Sequence, residues 1–141
     1  MKTIQGNLLD TEAGIIAQQV NCQRVAAAGI ALQFRNKWPG WYEAFKGISG
    51  VLGYVHYYPA EEGLIIASLY AQDYYGRTGR YTDYDAFYRC LEDLAYNTRE
   101  SEGKIYFPYR IGCGLAGGNW RIISTMIDEV LPDAIIVRRE K

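Results

Sequence analysis

In its last third the chain reads KIYFPYRIGCGLAGGNWRIISTMIDEVLPDAIIVRR, and the order of residue types there leaves few folds open. KIYFP is a short β-branched and aromatic run, as a strand requires. Arg110 to Gly118 holds four glycines and reads as a loop. Asn119 is a good N-cap for a helix whose Trp120, Ile123, Ile127 and Leu131 fall on one side. LPD then turns the chain into a final strand, AIIVRR. Strand, glycine loop, capped helix and strand in succession require helices packed against a sheet.

The rest of the chain extends that pattern. KTIQG and IIAQQV are two strands joined by a loop from Gly6 to Gly14. From Gly29, IALQFRNKW places Ile30, Phe34 and Trp38 at i, i+4 and i+8, and Pro39 cannot continue that helix. WYEAF is expected as a second short turn. VLGYVHYY and LIIASLY are two strands around the turn Glu61 to Gly63, paired antiparallel. DYDAFYRCLEDLAYN puts Phe87, Leu91 and Leu94 on one helical face, with Thr82 and Asp85 as an acidic capping box. The resulting fold class is α/β, a three-layer α/β/α sandwich with a mixed central sheet. It is expected as a single domain over residues 1–141.

Composition narrows the function classes. With 49% hydrophobic and 22% charged residues the chain is not disordered, and no apolar run approaches the roughly 20 residues of a membrane span. MKTIQGNLLD lacks an apolar signal core, and Cys22, Cys90 and Cys113 show no C-x-x-C spacing, so a cytoplasmic setting is expected. A net charge of −1 lacks the basic excess of phosphate-backbone binders, which disfavours nucleic acid as a partner. The single histidine, His56, lies in a strand. Its solitude excludes most Ser/His/Asp, Cys/His and multi-histidine metal arrangements, and no metal or cofactor is expected.

Gly112, Gly114 and Gly117 fall in the spacing G-x-G-x-x-G. A strand before and a capped helix after make the loop a phosphate cradle of free N–H groups at a positive helix end. The dinucleotide version requires an acidic residue at the end of the next strand to hold the ribose hydroxyls. Asp133 precedes AIIVRR instead, and that strand ends in Arg138 and Arg139. A nicotinamide enzyme therefore rests on glycine spacing alone. A second junction, VNCQRVAAAGIA, leaves a strand at Asn21 and enters a helix at Gly29, so that two loops can grip one diphosphate.

QGNLL, VNCQRVAAAGIA, the passage ending in YTDYDAF, and PYRIGCGLAGGNW together resemble a macrodomain, the α/β/α module that binds ADP-ribose. The resemblance covers nearly the whole chain. It is most similar to the branch holding ADP-ribose-1''-phosphate phosphatases and hydrolases that remove ADP-ribose from carboxylate side chains. The resemblance implies that Asn7 accepts a hydrogen bond from the adenine amino group, with the Leu8 N–H facing adenine N1. It implies Asn21 at the distal ribose, and Gly112, Cys113, Gly114, Leu115, Ala116 and Gly117 around the diphosphate. Gly29 and Ile30 form the facing wall.

The chain departs from the enzymes of that branch. Ser68 to Gln72 lacks the lysine of the carboxylate-linked hydrolases, and Ala116 replaces their aspartate. Gln18 stands where the phosphatases carry a histidine. Arg24, Ala27 and Ala28 replace glycines of the first loop. Remaining catalytic candidates are Asn21 and Asp83, the latter in a charged cluster with Asp73, Arg77 and Arg80. Cys113 reads either as an activated thiol or as a packed small residue. Tyr74, Tyr75 and Tyr81 read as base-stacking groups or as sheet cover. The expected activity is binding of ADP-ribose or a derivative, with hydrolysis of ADP-ribose-1''-phosphate or protein-linked ADP-ribose by non-standard groups. The alternatives are a non-catalytic reader or sponge, and a single-stranded nucleic-acid binder.

Overall fold

The computed structural model describes residues 1–26, 29–48, 50–74, 80–98 and 103–139. Six strands, β1 (Lys2–Gln5), β2 (Gly14–Asn21), β3 (Val55–Glu61), β4 (Leu64–Gln72), β5 (Ile105–Pro108) and β6 (Ile135–Arg138), form one sheet in the order β1-β6-β5-β2-β4-β3. All neighbours are parallel except β3 and β4, which form the expected hairpin. The helices are α1 (Gly29–Lys37), α2 (Pro39–Lys46), α3 (Tyr84–Thr98) and α4 (Trp120–Val130). A 3-10 turn, Leu8–Asp10, lies between β1 and β2.

Strand alternation divides the core into two layers. On one face Ala17, Leu69 and Phe107 pack against Phe87, Leu91 and Leu94 of α3 and Ile123 and Ile127 of α4. On the other, Ile16, Val20, Ile66 and Tyr70 pack against Phe34, Trp41 and Phe45 of α1 and α2. Because β2 is covered on both faces, Ile15, Ile16, Ala17 and Val20 are all buried and its apolar residues do not alternate with polar ones. The three-layer expectation is met.

Two expectations are corrected. WYEAF is part of an eight-residue helix, α2, with Pro39 in its first turn, where a proline lacks only an N–H that has no partner anyway. Thr82 and Asp85 form no capping box. The carboxylate of Asp83 accepts the Ala86 N–H at 2.9 Å, and the Thr82 hydroxyl is spent on Gly112 of the glycine loop. In addition, β3 begins at Val55 rather than at Val51.

His56 lies in register with Ser68 on β4, and Ser68 with Gln18 on β2, so the three share the face under α1 and α2. Its Nδ1 is buried without a hydrogen-bond partner among the described residues, and desolvation lowers its pKa from 6.5. A folded imidazole harder to protonate than the unfolded one means the unfolded chain takes up the extra proton. Stability is therefore full above the unfolded value and falls as pH drops below it, by at most about 1.4 kcal/mol per pH unit. Urea titrations between about pH 7.5 and 5.5 are expected to show this loss, and His56→Gln to flatten it.

Candidate functional site

The chain leaves β2 toward α1 on one face of the sheet and leaves the adjacent β5 toward α4 on the other. Connections that diverge in this way open a crevice at the carboxyl ends of the strands. A cleft of about 1000 Å³ occupies that position. It is bounded by Asn21 at the end of β2, Pro108 at the end of β5, Arg138 at the end of β6, and the first turn of α1.

The glycine loop is held from below by a polar network. Gln19 Nε2 donates to Gln72 Oε1 at 3.0 Å and to Thr82 Oγ1 at 2.9 Å, and Thr82 Oγ1 donates to the Gly112 carbonyl at 2.7 Å. The Ala116 carbonyl accepts the N–H groups of Tyr81 and Thr82, and the Gly118 N–H returns to the Gly112 carbonyl at 2.8 Å. Glycine is required at both ends of this arrangement. A Cβ on Gly118 would lie 2.5 Å from the Gly112 carbonyl oxygen, and one on Gly112, where φ is +74°, would lie 2.7 Å from Gln19 Oε1.

The loop's own N–H groups divide into two sets. Those of Cys113, Gly117 and Gly118 are taken by the carbonyls of Arg110, Gly114 and Gly112. Those of Gly112, Gly114, Leu115 and Ala116 have no acceptor among the described residues, and these four residues line the cleft. Across from them, Gly29, Ile30 and Ala31 form the first turn of α1. Its N–H groups have no intrahelical partner, and the helix end carries partial positive charge. Seven of the cleft's lining residues thus form two walls of backbone donors, and the described lining contains Arg110, Arg138 and Arg139 but no Asp, Glu, His or Lys.

Most of the residues singled out in the sequence converge here: Asn7, Leu8, Asn21, Gly29, Ile30, Gly112, Gly114, Leu115 and Ala116 all line the cleft. Asn7 Oδ1 accepts the Leu9 N–H at 3.0 Å, capping the 3-10 turn. Asn21 is 7% exposed and braces its loop, with Nδ2 donating to the Val25 carbonyl at 2.8 Å and Oδ1 accepting the Val25 N–H at 3.0 Å. One donor and one lone pair remain on that amide.

Others lie elsewhere. Cys113 and Gly117 are not among the lining residues. The Cys113 thiol is buried against the α4 side of the core, donates to the Ile111 carbonyl, and is pushed up in pKa by burial, which is the reverse of activation. Asp83 caps α3 outside the cleft lining, and Gln18, fully buried under α1 and α2, also lies outside it. Arg24 turns away from the cleft and donates to the carbonyls of Lys46 and Ile48 at the end of α2. Tyr74 is exposed and Tyr81 half-buried, neither in the cleft lining. Ala27, Ala28, Tyr75 and Arg77 lie outside the described residues. Among the described residues no helix is long and apolar enough to cross a membrane, and no cluster of His, Cys, Asp or Glu is arranged to hold a metal ion.

Sequence reasoning missed the rim formed by Tyr109, Arg110, Arg138 and Arg139. The Ile111 N–H donates to the Pro108 carbonyl at 3.1 Å, closing a turn in which Arg110 has φ +61°. A left-handed conformation at a non-glycine residue costs roughly 1–2 kcal/mol. Arg110→Gly is therefore expected to raise stability by about 1 kcal/mol, a rise of several degrees in Tm for a chain of this size. Differential scanning calorimetry checks it.

A mixed six-stranded α/β/α sandwich with its crevice at this crossing is the macrodomain fold. No protein-family model and no curated protein matches the chain. Among solved structures, a Bacteroides thetaiotaomicron protein of unknown function is 27% identical with a TM-score of 0.87, covering 98% of this chain and 96% of its own. The macrodomain of Thermus aquaticus DarG is 22% identical with a TM-score of 0.78, covering 100% and 99%. Thermosipho africanus DarTG, solved in complex with ADP-ribose, is 16% identical with a TM-score of 0.78, and the match covers 96% of this chain and 40% of that one.

Proposed function

We propose that the chain is a recognition module for ADP-ribose or an ADP-ribose derivative. The observation that carries this reading is the coincidence of the unspent loop N–H groups with the cleft: Gly112, Gly114, Leu115 and Ala116 line it, whereas Cys113 and Gly117, whose N–H groups are already bonded, do not. Four backbone donors facing a helix N-terminus form a neutral cradle suited to a diphosphate. At one end, Asn7 keeps a free lone pair for an adenine amino group. At the other, Asn21 keeps one donor and one acceptor for a ribose hydroxyl. A structural neighbour solved with ADP-ribose supports the same ligand.

Recognition is favoured over hydrolysis by the side chains present. Cleaving a phosphate ester or a glycosyl bond requires a nucleophile or a general acid–base pair near the distal ribose. Among the described lining residues the titratable groups are Tyr109 and three arginines, and none is a carboxylate, a histidine, a lysine or a cysteine. Isothermal calorimetry with ADP-ribose tests the binding, and absence of heat at millimolar ligand would refute it. Incubation with ADP-ribose-1''-phosphate and with glutamate-linked ADP-ribosylated protein tests the recognition reading. Release of phosphate or ADP-ribose above background would replace it with a hydrolase using non-standard groups.

A further inference from the structure

A cradle of neutral N–H groups and a helix end already accounts for a diphosphate, and the cleft's arginines are left over. Arg138 is the last residue of β6, where it pairs with Gln5, and its carbonyl accepts the Gly6 N–H at 3.0 Å. It therefore adjoins the segment carrying Asn7. On the other side, the Tyr109 N–H donates to the Val137 carbonyl at 3.0 Å, and the Arg138 guanidinium lies 4.5 Å over the Tyr109 ring. The ring itself is fixed edge-on by Trp120 at 5.3 Å. Arg110 follows Tyr109 and leads through Ile111 into Gly112, the first residue of the cradle.

Arg110, Arg138 and Arg139 thus line the stretch of cleft between the Asn7 end and the phosphate loop. None of the three forms a salt bridge among the described residues. All three are exposed, and with no carboxylate among the described lining residues they leave the positive charge on this part of the cleft open to an incoming anion. A nucleotide that places its base near Asn7 and its diphosphate on Gly112 to Ala116 places the ribose joining them beside these arginines.

We propose that the cleft recognises a phosphomonoester on the adenosine-side ribose of its ligand, a 2′- or 3′-phosphate in addition to the diphosphate. This rests on the ADP-ribose reading above. Such a group carries close to two charges at neutral pH and offers oxygens that a guanidinium fork bonds in pairs. The stacking of Arg138 on Tyr109 presets one fork, which reduces the ordering cost of binding.

Calorimetry with four ligands tests the proposal: ADP-ribose against 2′-phospho-ADP-ribose, and ADP against 3′-phospho-ADP. At least one phosphorylated ligand is expected to bind tenfold or more tightly than its parent, with the ratio shrinking as salt is raised. In the Arg138→Ala/Arg139→Ala double variant that ratio is expected to fall to about one, and circular dichroism confirms that the variant is folded. The 2′ and 3′ arms distinguish which hydroxyl is read. If ADP-ribose binds but neither phosphate tightens binding, the proposal fails and the ADP-ribose reading stands. A gain that survives in the double variant also overturns it. If none of the four ligands binds, both readings fail together.

Discussion

Gly114→Val is expected to leave thermal stability nearly unchanged while weakening ADP-ribose binding at least 100-fold. A Cβ built on Gly114 meets no protein atom within 4 Å, and its φ is not in the left-handed region, so a β-carbon is accepted there without clash or left-handed strain. Exposed substitutions of that kind usually change stability by no more than about 0.5 kcal/mol. Gly114 lines the cleft and its N–H is one of the four unspent donors, so the isopropyl group takes the space a phosphate must enter. A 100-fold loss corresponds to about 2.7 kcal/mol, the order expected for losing charge-assisted hydrogen bonds and close approach together. Gly118→Ala makes the contrast. Its Cβ would press on the Gly112 carbonyl oxygen at 2.5 Å, so fold stability and binding are expected to fall together. Parallel calorimetric titrations and thermal melts of the two variants separate a ligand-facing glycine from a packing glycine in the same loop.

The second large effect lies in the core. Trp41→Ala is expected to cost about 3–5 kcal/mol of unfolding free energy, read from urea denaturation. Trp41 is fully buried, stacked on Phe45 with ring centroids 4.9 Å apart, and edge-on to Phe34 at 6.1 Å. Its indole N–H donates to Ser68 Oγ at 2.9 Å in the interior of the sheet. Truncation opens a cavity between α2 and β4 and removes the partner of a buried hydroxyl, and both terms act in the same direction. Trp41→Phe keeps part of the ring and loses the hydrogen bond, so it is expected to fall between the parent and the alanine variant. Neither side chain lines the cleft, so whatever fraction remains folded is expected to bind ligand normally.

Which elements were legible in the sequence follows from how local their causes are. Asn119 was readable as a cap because capping involves only the next three residues, and its Oδ1 does accept the Arg121 and Ile122 N–H groups. The β3–β4 hairpin was readable because its turn is marked by Glu62 and Gly63 between two strand-like runs. By contrast, α2 looked like a single turn because Trp, Tyr and Phe are indifferent helix formers. Burial of Trp41 and Phe45, which no local rule registers, stabilises its second turn.

The cap of α3 is ambiguous in the sequence for a related reason. Thr82 and Asp83 are both acceptable N-cap types, and a contact 30 residues away, from Thr82 to Gly112, decides between them. The same limit applies at the cleft. Its two loops could be seen because glycines beside a strand end have a conformational meaning. Gln19 and Gln72 could not, because glutamine has no positional signature and only the pairing of β2 with β4 brings them together. Arg138 and Arg139 were visible only as the absence of an acid. Their place beside Tyr109 depends on β6 lying between β1 and β5.

The most direct measurement of the central claim is an amide NMR titration of the folded chain with ADP-ribose. The account predicts saturable shifts concentrated at the N–H signals of Gly112, Gly114, Leu115, Ala116, Gly29 and Ile30, with smaller changes at Cys113 and Gly117, whose N–H groups are already bonded within the loop. Unmoved loop amides at millimolar ligand, or shifts confined to a surface away from the cleft, would contradict it.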